Sequence, residues 1–213
     1  MKKLDSITVL GIISLVYWLF DIINNNFFLH EATWSLWFSS VGIGLTAIGL
    51  LTRNTFLLNS LFCALFVVEM SWNIGFFSHL IFHKSFMGLT DYLFTGNYST
   101  KDFLITSYHV FMIPFLFIGI IKEKVIHKTA WIGACIFTAV AASLTYFFAG
   151  PHDTTNCVHV IDNCRTFLFY LDHFSNPMRT ILGIVLITIV VFIPTNYMLL
   201  KLLGNQKKQM YDV

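Results

Sequence analysis

The sequence predicts an all-α, polytopic membrane bundle of six transmembrane helices with both termini cytoplasmic. Three observations carry this. The 213 residues are 56% hydrophobic and only 11% charged, whereas a soluble domain carries about 25% charged residues; mean hydropathy is +0.72. Apolar windows near the length a bilayer requires, about 20 residues, occur six times. Lys and Arg divide unevenly between alternate loops, as cytoplasmic and external loops do.

The windows run over roughly 6–23, 34–51, 55–77, 103–121, 129–149 and 180–200, with an outer loop over 150–179. Asn, Gly, Asp, Pro and Ser separate them, as loops require. No polar linker divides residues 1–213, so one domain is expected. The start "MKKLDSITVLGIISLVYWLF" has the charged-then-apolar order of a signal peptide. No small-x-small cleavage site follows, only "DIINNN", so it reads as a retained first helix. The second window holds "GIGLTAIG", and Gly42, Gly44 and Gly49 favour close helix approach. In the fourth, Pro114 predicts a kink that frees backbone carbonyls near Val110. Pro194 predicts the same near the inner end of the sixth. A seventh candidate, "TFLFYLDHF", is too short and carries Asp172 and His173, which suits an interfacial or re-entrant segment.

With the N-terminus inside, the inner loops and ends collect nine cations: Lys2, Lys3, Arg53, Lys122, Lys124, Lys128, Lys201, Lys207 and Lys208. The outer side collects four: Lys84, Lys101, Arg165 and Arg179. Trp18, Trp34, Trp37 and Trp72 then fall towards the outer boundary and Trp131 at the inner one, as an aromatic belt predicts. Net charge is +2 with no basic block, so no nucleic-acid partner is expected. Membrane lipid is the expected partner, and an oligomer is compatible with the sequence. No G-x-S-x-G, H-E-x-x-H, Walker or Rossmann signature is present.

Three ionisable residues fall inside the windows: Asp21, Glu69 and His109. His109 is six residues in from the outer end of its helix, roughly 9 Å deep. All three lie at similar depth, and Asn73 shares a helical face with Glu69. Each costs several kcal/mol in lipid unless it faces a cavity or a partner. The expected arrangement turns all of them inward into one pocket in the outer half. His109 would serve there as general base or metal ligand, oriented by Glu69, with Asp21 and Asn73 completing the pocket. The alternative is a set of interhelical bonds that only fixes packing.

"SHLIFH" places His79 and His83 at i and i+4, a spacing that can hold a divalent metal. The alternative is a pair of interfacial histidines on the last turn of a long helix. Cys157 and Cys164 share the outer loop, where an oxidising compartment suits a disulfide. Free thiols and a redox or metal-binding pair are the alternatives. Cys63 and Cys135 lie inside windows and read as small packing residues.

The stretches "GLTDYLF", "SYHVFMIP", "TNCVHV" and "IPTN" resemble, in order, the short motifs of a family of small, uncharacterised bacterial multi-pass membrane proteins. The matching positions are Gly88, Tyr92, Phe94, Ser107, His109, Pro114, Asn156, Pro194 and Thr195. Asn196 stands where that family has His, and His109 lies one residue farther from Pro114 than in its pattern. The resemblance implies a helical bundle in a bacterial plasma membrane and a role for His109, but no reaction.

Three function classes remain at this level. One is a hydrolase or transferase acting on a lipid at the outer leaflet. Another is an accessory subunit whose polar groups specify packing. The last is a small proton-coupled transporter, which would need a polar path through the inner half.

Overall fold

A computed structural model describes residues 5–28, 32–84, 90–95, 100–149 and 176–204. The elements among them are all helical: α1 (Ser6–Ile23), α2 (Phe38–Thr52), α3 (Thr55–Phe82), α4 (Asp91–Thr95), α5 (Thr100–Thr106), α6 (Tyr108–Glu123), α7 (Ala130–Phe148), α8 (Asn176–Ile187) and α9 (Ile193–Leu203). Five stretches are long and apolar enough to cross a membrane: Ser6–Phe27, Thr55–Phe82, Phe103–Glu123, Ala130–Phe148 and Pro177–Gly204. The remaining expected window, the second (34–51), is shorter as a helix. Trp37 is extended (φ −53°, ψ 140°), so α2 keeps only 15 residues and Ala32–Leu36 forms a separate 3-10 turn.

Local chemistry sets the boundaries. The Asp5 carboxylate accepts from the Ile7 and Thr8 amides at 3.0 and 3.2 Å, satisfying donors that a helix start leaves free. α2 stops at Arg53, which is left-handed at φ 54°. The Arg53 amide donates to the Leu50 carbonyl and the Asn54 amide to the Gly49 carbonyl, the paired bonds of a Schellman stop. Asn54 then caps α3 by accepting from the Leu57 amide at 3.0 Å. α3 continues past the expected residue 77 to Phe82, where His83 turns left-handed at φ 52°. No proline stands between Phe77 and Phe82 to end it sooner.

The two prolines act differently from the simple kinks expected of them. Pro114 lies inside α6 without ending it, and the chain instead breaks at Ser107, between α5 and α6. There the Ser107 hydroxyl donates to the Leu104 carbonyl at 2.6 Å. Before Pro194 the helix widens into a π turn over Thr188–Phe192. A proline lacks the amide donor and its ring presses on the carbonyl four residues back, and a π turn accommodates both.

Small residues bring the helices together. A Cβ added at Gly44 would meet the Trp18 indole at 2.5 Å, joining α2 to α1. One at Gly42 would meet Leu65 at 2.9 Å, joining α2 to α3, and one at Gly133 would run into Ser60 Oγ, joining α7 to α3. The core between them is apolar, with Leu50, Leu58, Leu61, Leu65, Met112 and Leu116 all fully buried. In a bilayer such side chains hold helices together by close van der Waals packing rather than by removal from water, which the small residues above make possible.

One end of the bundle is tied by polar bonds. Arg53 lies 2.5 Å from Asp5 and 2.8 Å from Glu123, and Lys122 donates to Ser6 Oγ. Asn59 Nδ2 donates to the Thr55 and Val125 carbonyls, and Asn196 Nδ2 to the Lys128 carbonyl. The start of α1, the α2–α3 turn and the α6–α7 turn therefore meet at this Arg53 end. The Asp5 carboxyl is held below the usual carboxylate range, chiefly by the Thr8 amide and also by Arg53. The Arg53 guanidinium is pushed up by its bond to Glu123 and by the Asp5 charge.

Candidate functional site

α3 and α6 pack against each other far from the Arg53 end, and there they join two ionisable side chains. His109 Nδ1 lies 2.6 Å from Glu69 Oε2. Glu69 is 0% exposed and His109 7%. A neutral imidazole whose Nδ1–H donates to a carboxylate carries its lone pair on Nε2. Among the described residues Nε2 makes no hydrogen bond, and neither does the buried Glu69 Oε1. In that tautomer the pair presents a proton acceptor at Nε2, while Glu69 Oε1 stays buried.

Asn73, one turn after Glu69, ties the two backbones together. Its Nδ2 donates to the Glu69 carbonyl and to the His109 carbonyl, both at 2.8 Å. The indole of Trp72 stacks on the imidazole with centroids 4.3 Å apart and 18° between planes. The Tyr108 ring stacks at 4.4 Å and 27°. Ring orientation is therefore restrained by a carboxylate and two aromatic planes.

Asp21 belongs to a neighbouring cluster rather than to direct contact with this pair. Its carboxylate accepts from the Ser40 hydroxyl and, at 3.3 Å, from Asn25 Nδ2. Among the described residues no hydrogen bond joins it to His109. Ser39, beside Ser40, accepts from the Tyr108 hydroxyl at 3.4 Å. Four helices, α1, α2, α3 and α6, thus converge here. The single three-residue pocket expected for Asp21, Glu69 and His109 is instead a bonded pair, Glu69 with His109, flanked by Asp21. The physical reason is local. Asn25 is one turn from Asp21, and Ser40 sits opposite it, so the carboxylate is satisfied before it can reach the imidazole.

The histidines of the "SHLIFH" stretch are placed differently from the shared helix face expected of them. His79 stacks flat on Phe94 at 3.8 Å and 7°. His83 has left the helix in its left-handed stop, so the i, i+4 geometry on which the pairing rests is lost. Among the described residues no three His, Cys, Asp or Glu side chains gather as metal ligands would. Cys157 and Cys164, with the disulfide expected of them, lie outside the described residues, as do Gly88 and Asn156. Cys63 is a fully buried packing residue. Cys135 is more than that, with Sγ 2.8 Å from Thr188 Oγ1 at the start of the π turn. Ser107, close to His109 in sequence, bonds the Leu104 carbonyl and, at 3.5 Å, the Tyr17 hydroxyl.

Tyr108, Ser39, Ser40 and Asn25 were not singled out from sequence, and Trp72, expected in an aromatic belt, is instead buried against His109. Adjacent serines inside an apolar window, in "WFSSVGIG", were the available signal for two of them. No protein-family model, curated protein or solved structure matches the chain.

Proposed function

We propose that this chain is a multi-pass protein of a bacterial plasma membrane, of the kind its short motifs resemble, and that it works as an enzyme on a membrane lipid. The reaction is hydrolysis or group transfer near the outer leaflet. The observation that carries this reading is the buried Glu69–His109 pair with an unbonded Nε2. A carboxylate that holds one imidazole nitrogen leaves the other as a general base towards water or an alcohol. Glu69 and Asn73 are positioning residues, and His109 is the group that would touch substrate.

Between the pair and the Arg53 end Leu58, Leu61, Leu65 and Leu116 are fully buried beside the scattered polar side chains Ser14, Thr46 and Ser60. Thr46 and Ser60 bond carbonyls of their own helices, so these separated groups are a weak basis for transport. A packing role is the competing reading, favoured by the two rings stacked on His109.

Mass spectrometry of lipids separates the two. Purified protein in nanodiscs of bacterial lipid extract should change the mass of at least one lipid class over hours. His109→Gln should abolish that change while keeping a folded, monodisperse protein. Unchanged lipids with wild-type protein, together with a lowered melting temperature for His109→Gln, would establish the packing role instead.

A further inference from the structure

α7 and the last span, Pro177–Gly204, pack side by side in opposite directions. Two bonds mark their seam. Cys135 Sγ meets Thr188 Oγ1 at 2.8 Å, and Asn196 Nδ2 donates at 2.7 Å to the carbonyl of Lys128, just before α7. Seen from the Arg53 end, α7 recedes and the last span approaches. One residue turns a right-handed helix by about 100°, clockwise on the first and anticlockwise on the second. Stepping one residue on from facing contacts therefore carries both helices to the same side of the seam. The residues one step on are Ile136, Ile189 and Tyr197, and all three are exposed. Ile132 and Val140 extend the stripe along α7, and Ile193 joins Ile189 to Tyr197 along the last span. The two stripes make one apolar face. Each runs about 18 Å from a lysine, Lys128 on one and Lys201 on the other. That is close to half the hydrocarbon core of a bilayer, which is about 30 Å thick.

Lys128 and Lys201 are both exposed. At the Arg53 end, among the described residues, five cations (Arg53, Lys122, Lys124, Lys128 and Lys201) stand against two anions, Asp5 and Glu123. Arg53 takes both anions. Lys124, Lys128 and Lys201 have no ion-pair partner among the described residues. We propose that the shared face of α7 and the last span binds an anionic phospholipid in the leaflet at the Arg53 end. Its phosphate lies between Lys128 and Lys201, and its chains lie along the two stripes. This rests on the membrane part of the reading above and on no reaction. Charge complementarity selects the head, since each cation at the boundary adds attraction to an anionic lipid. Lysine stems follow the apolar surface while the ammonium stays among headgroups. Tyr197, one turn from Lys201, sets a phenol at the same boundary. A soluble acidic partner would reach the lysines but leave Ile136 and Ile193 bare, whereas a lipid covers both.

The test is photolabelling of the full chain in phosphatidylcholine nanodiscs that carry a trace of one of two probes. One is phosphatidylglycerol with a diazirine in mid-chain, and the other is phosphatidylcholine with the same chain. The anionic probe should label Ile136 and Ile193 above Ile12, an exposed residue of α1 nearest the cations that are already bonded. The zwitterionic probe should show no such preference. Lys128→Gln and Lys201→Gln should each lower the excess roughly five-fold, the effect of one cation beside an anionic headgroup. Lys128→Arg with Lys201→Arg should keep it. Lys84→Gln, at an exposed lysine away from the seam, should leave it unchanged. Equal labelling by the two probes, or an excess that survives the double glutamine variant, overturns the proposal. So does an excess that Lys84→Gln lowers as far, or one that millimolar inorganic phosphate removes, which would mark a free-anion site. The readout is binding alone. Lipid turnover without selective labelling would sink this face and spare the enzyme, and selective labelling without turnover would do the reverse.

Discussion

Glu69 and His109, forty residues apart in the chain, meet at 2.6 Å, and one amide, Asn73, bonds the backbone carbonyls of both. The pair is buried, so its members depend on each other. Removing one partner leaves an uncompensated polar group, at about 3–5 kcal/mol, whereas replacing both with apolar residues is often near neutral. His109→Leu or Glu69→Leu alone should therefore lower the melting temperature in detergent far more than the double variant does. A double variant as unstable as the sum of the singles would show that the two residues do not interact.

The close helix contacts make a second expectation. Gly44→Ala drives a methyl into the Trp18 ring, and Gly133→Ala drives one into Ser60. Overpacking of this kind costs about 1–3 kcal/mol. Both should unfold earlier in a detergent thermal scan, while Ile136→Leu, on an exposed face, should leave the transition where it is. Wild-type stability in Gly44→Ala would mean that α1 and α2 pack less tightly than the structure has them.

The helix cap at Asp5, chiefly the Thr8 amide and secondarily Arg53, gives a pH dependence. The Asp5 carboxyl is lower in the folded protein than in the unfolded chain. Its contribution is thus present above the ordinary value and lost as pH falls through the lower, folded one. The loss belongs below about pH 4. Asp5→Asn should flatten the acid limb of the stability profile there and leave neutral pH nearly unchanged, since both partners are largely exposed. An equal effect at pH 7 and pH 3.5 would rule out this origin.

Sidedness follows from the bridges of Arg53. Arg53 touches both Asp5 and Glu123, so the start of α1, the α2–α3 turn and the end of α6 share one face of the bundle. Reporter fusions after Asn54 and after Glu123 should read alike, and cytoplasmic if the surplus of cations sets orientation. Fusions after Asn97 and Asn163 should read external. Opposite readings at Asn54 and Glu123 would contradict the fold itself.

What the sequence by itself determined was the helical class and the approximate extent of each apolar segment. α1 occupies Ser6–Ile23 as the apolar run predicts, and Ala130–Phe148 differs from its window by one residue at each end. Hydropathy is additive along the chain, so it reports length well. It also marked Glu69, His109 and Asn73 as groups needing partners, because an apolar window makes a polar residue conspicuous. It could not say which partner each would find. A helix apolar nearly all round has no preferred face, and each residue along it turns the side chain by about 100°. The rotation of α1, α3 and α6 was decided by packing: Gly44 against Trp18, Gly42 against Leu65, Trp72 against the imidazole. Those contacts turned Glu69 onto His109 and left Asp21 facing Ser40.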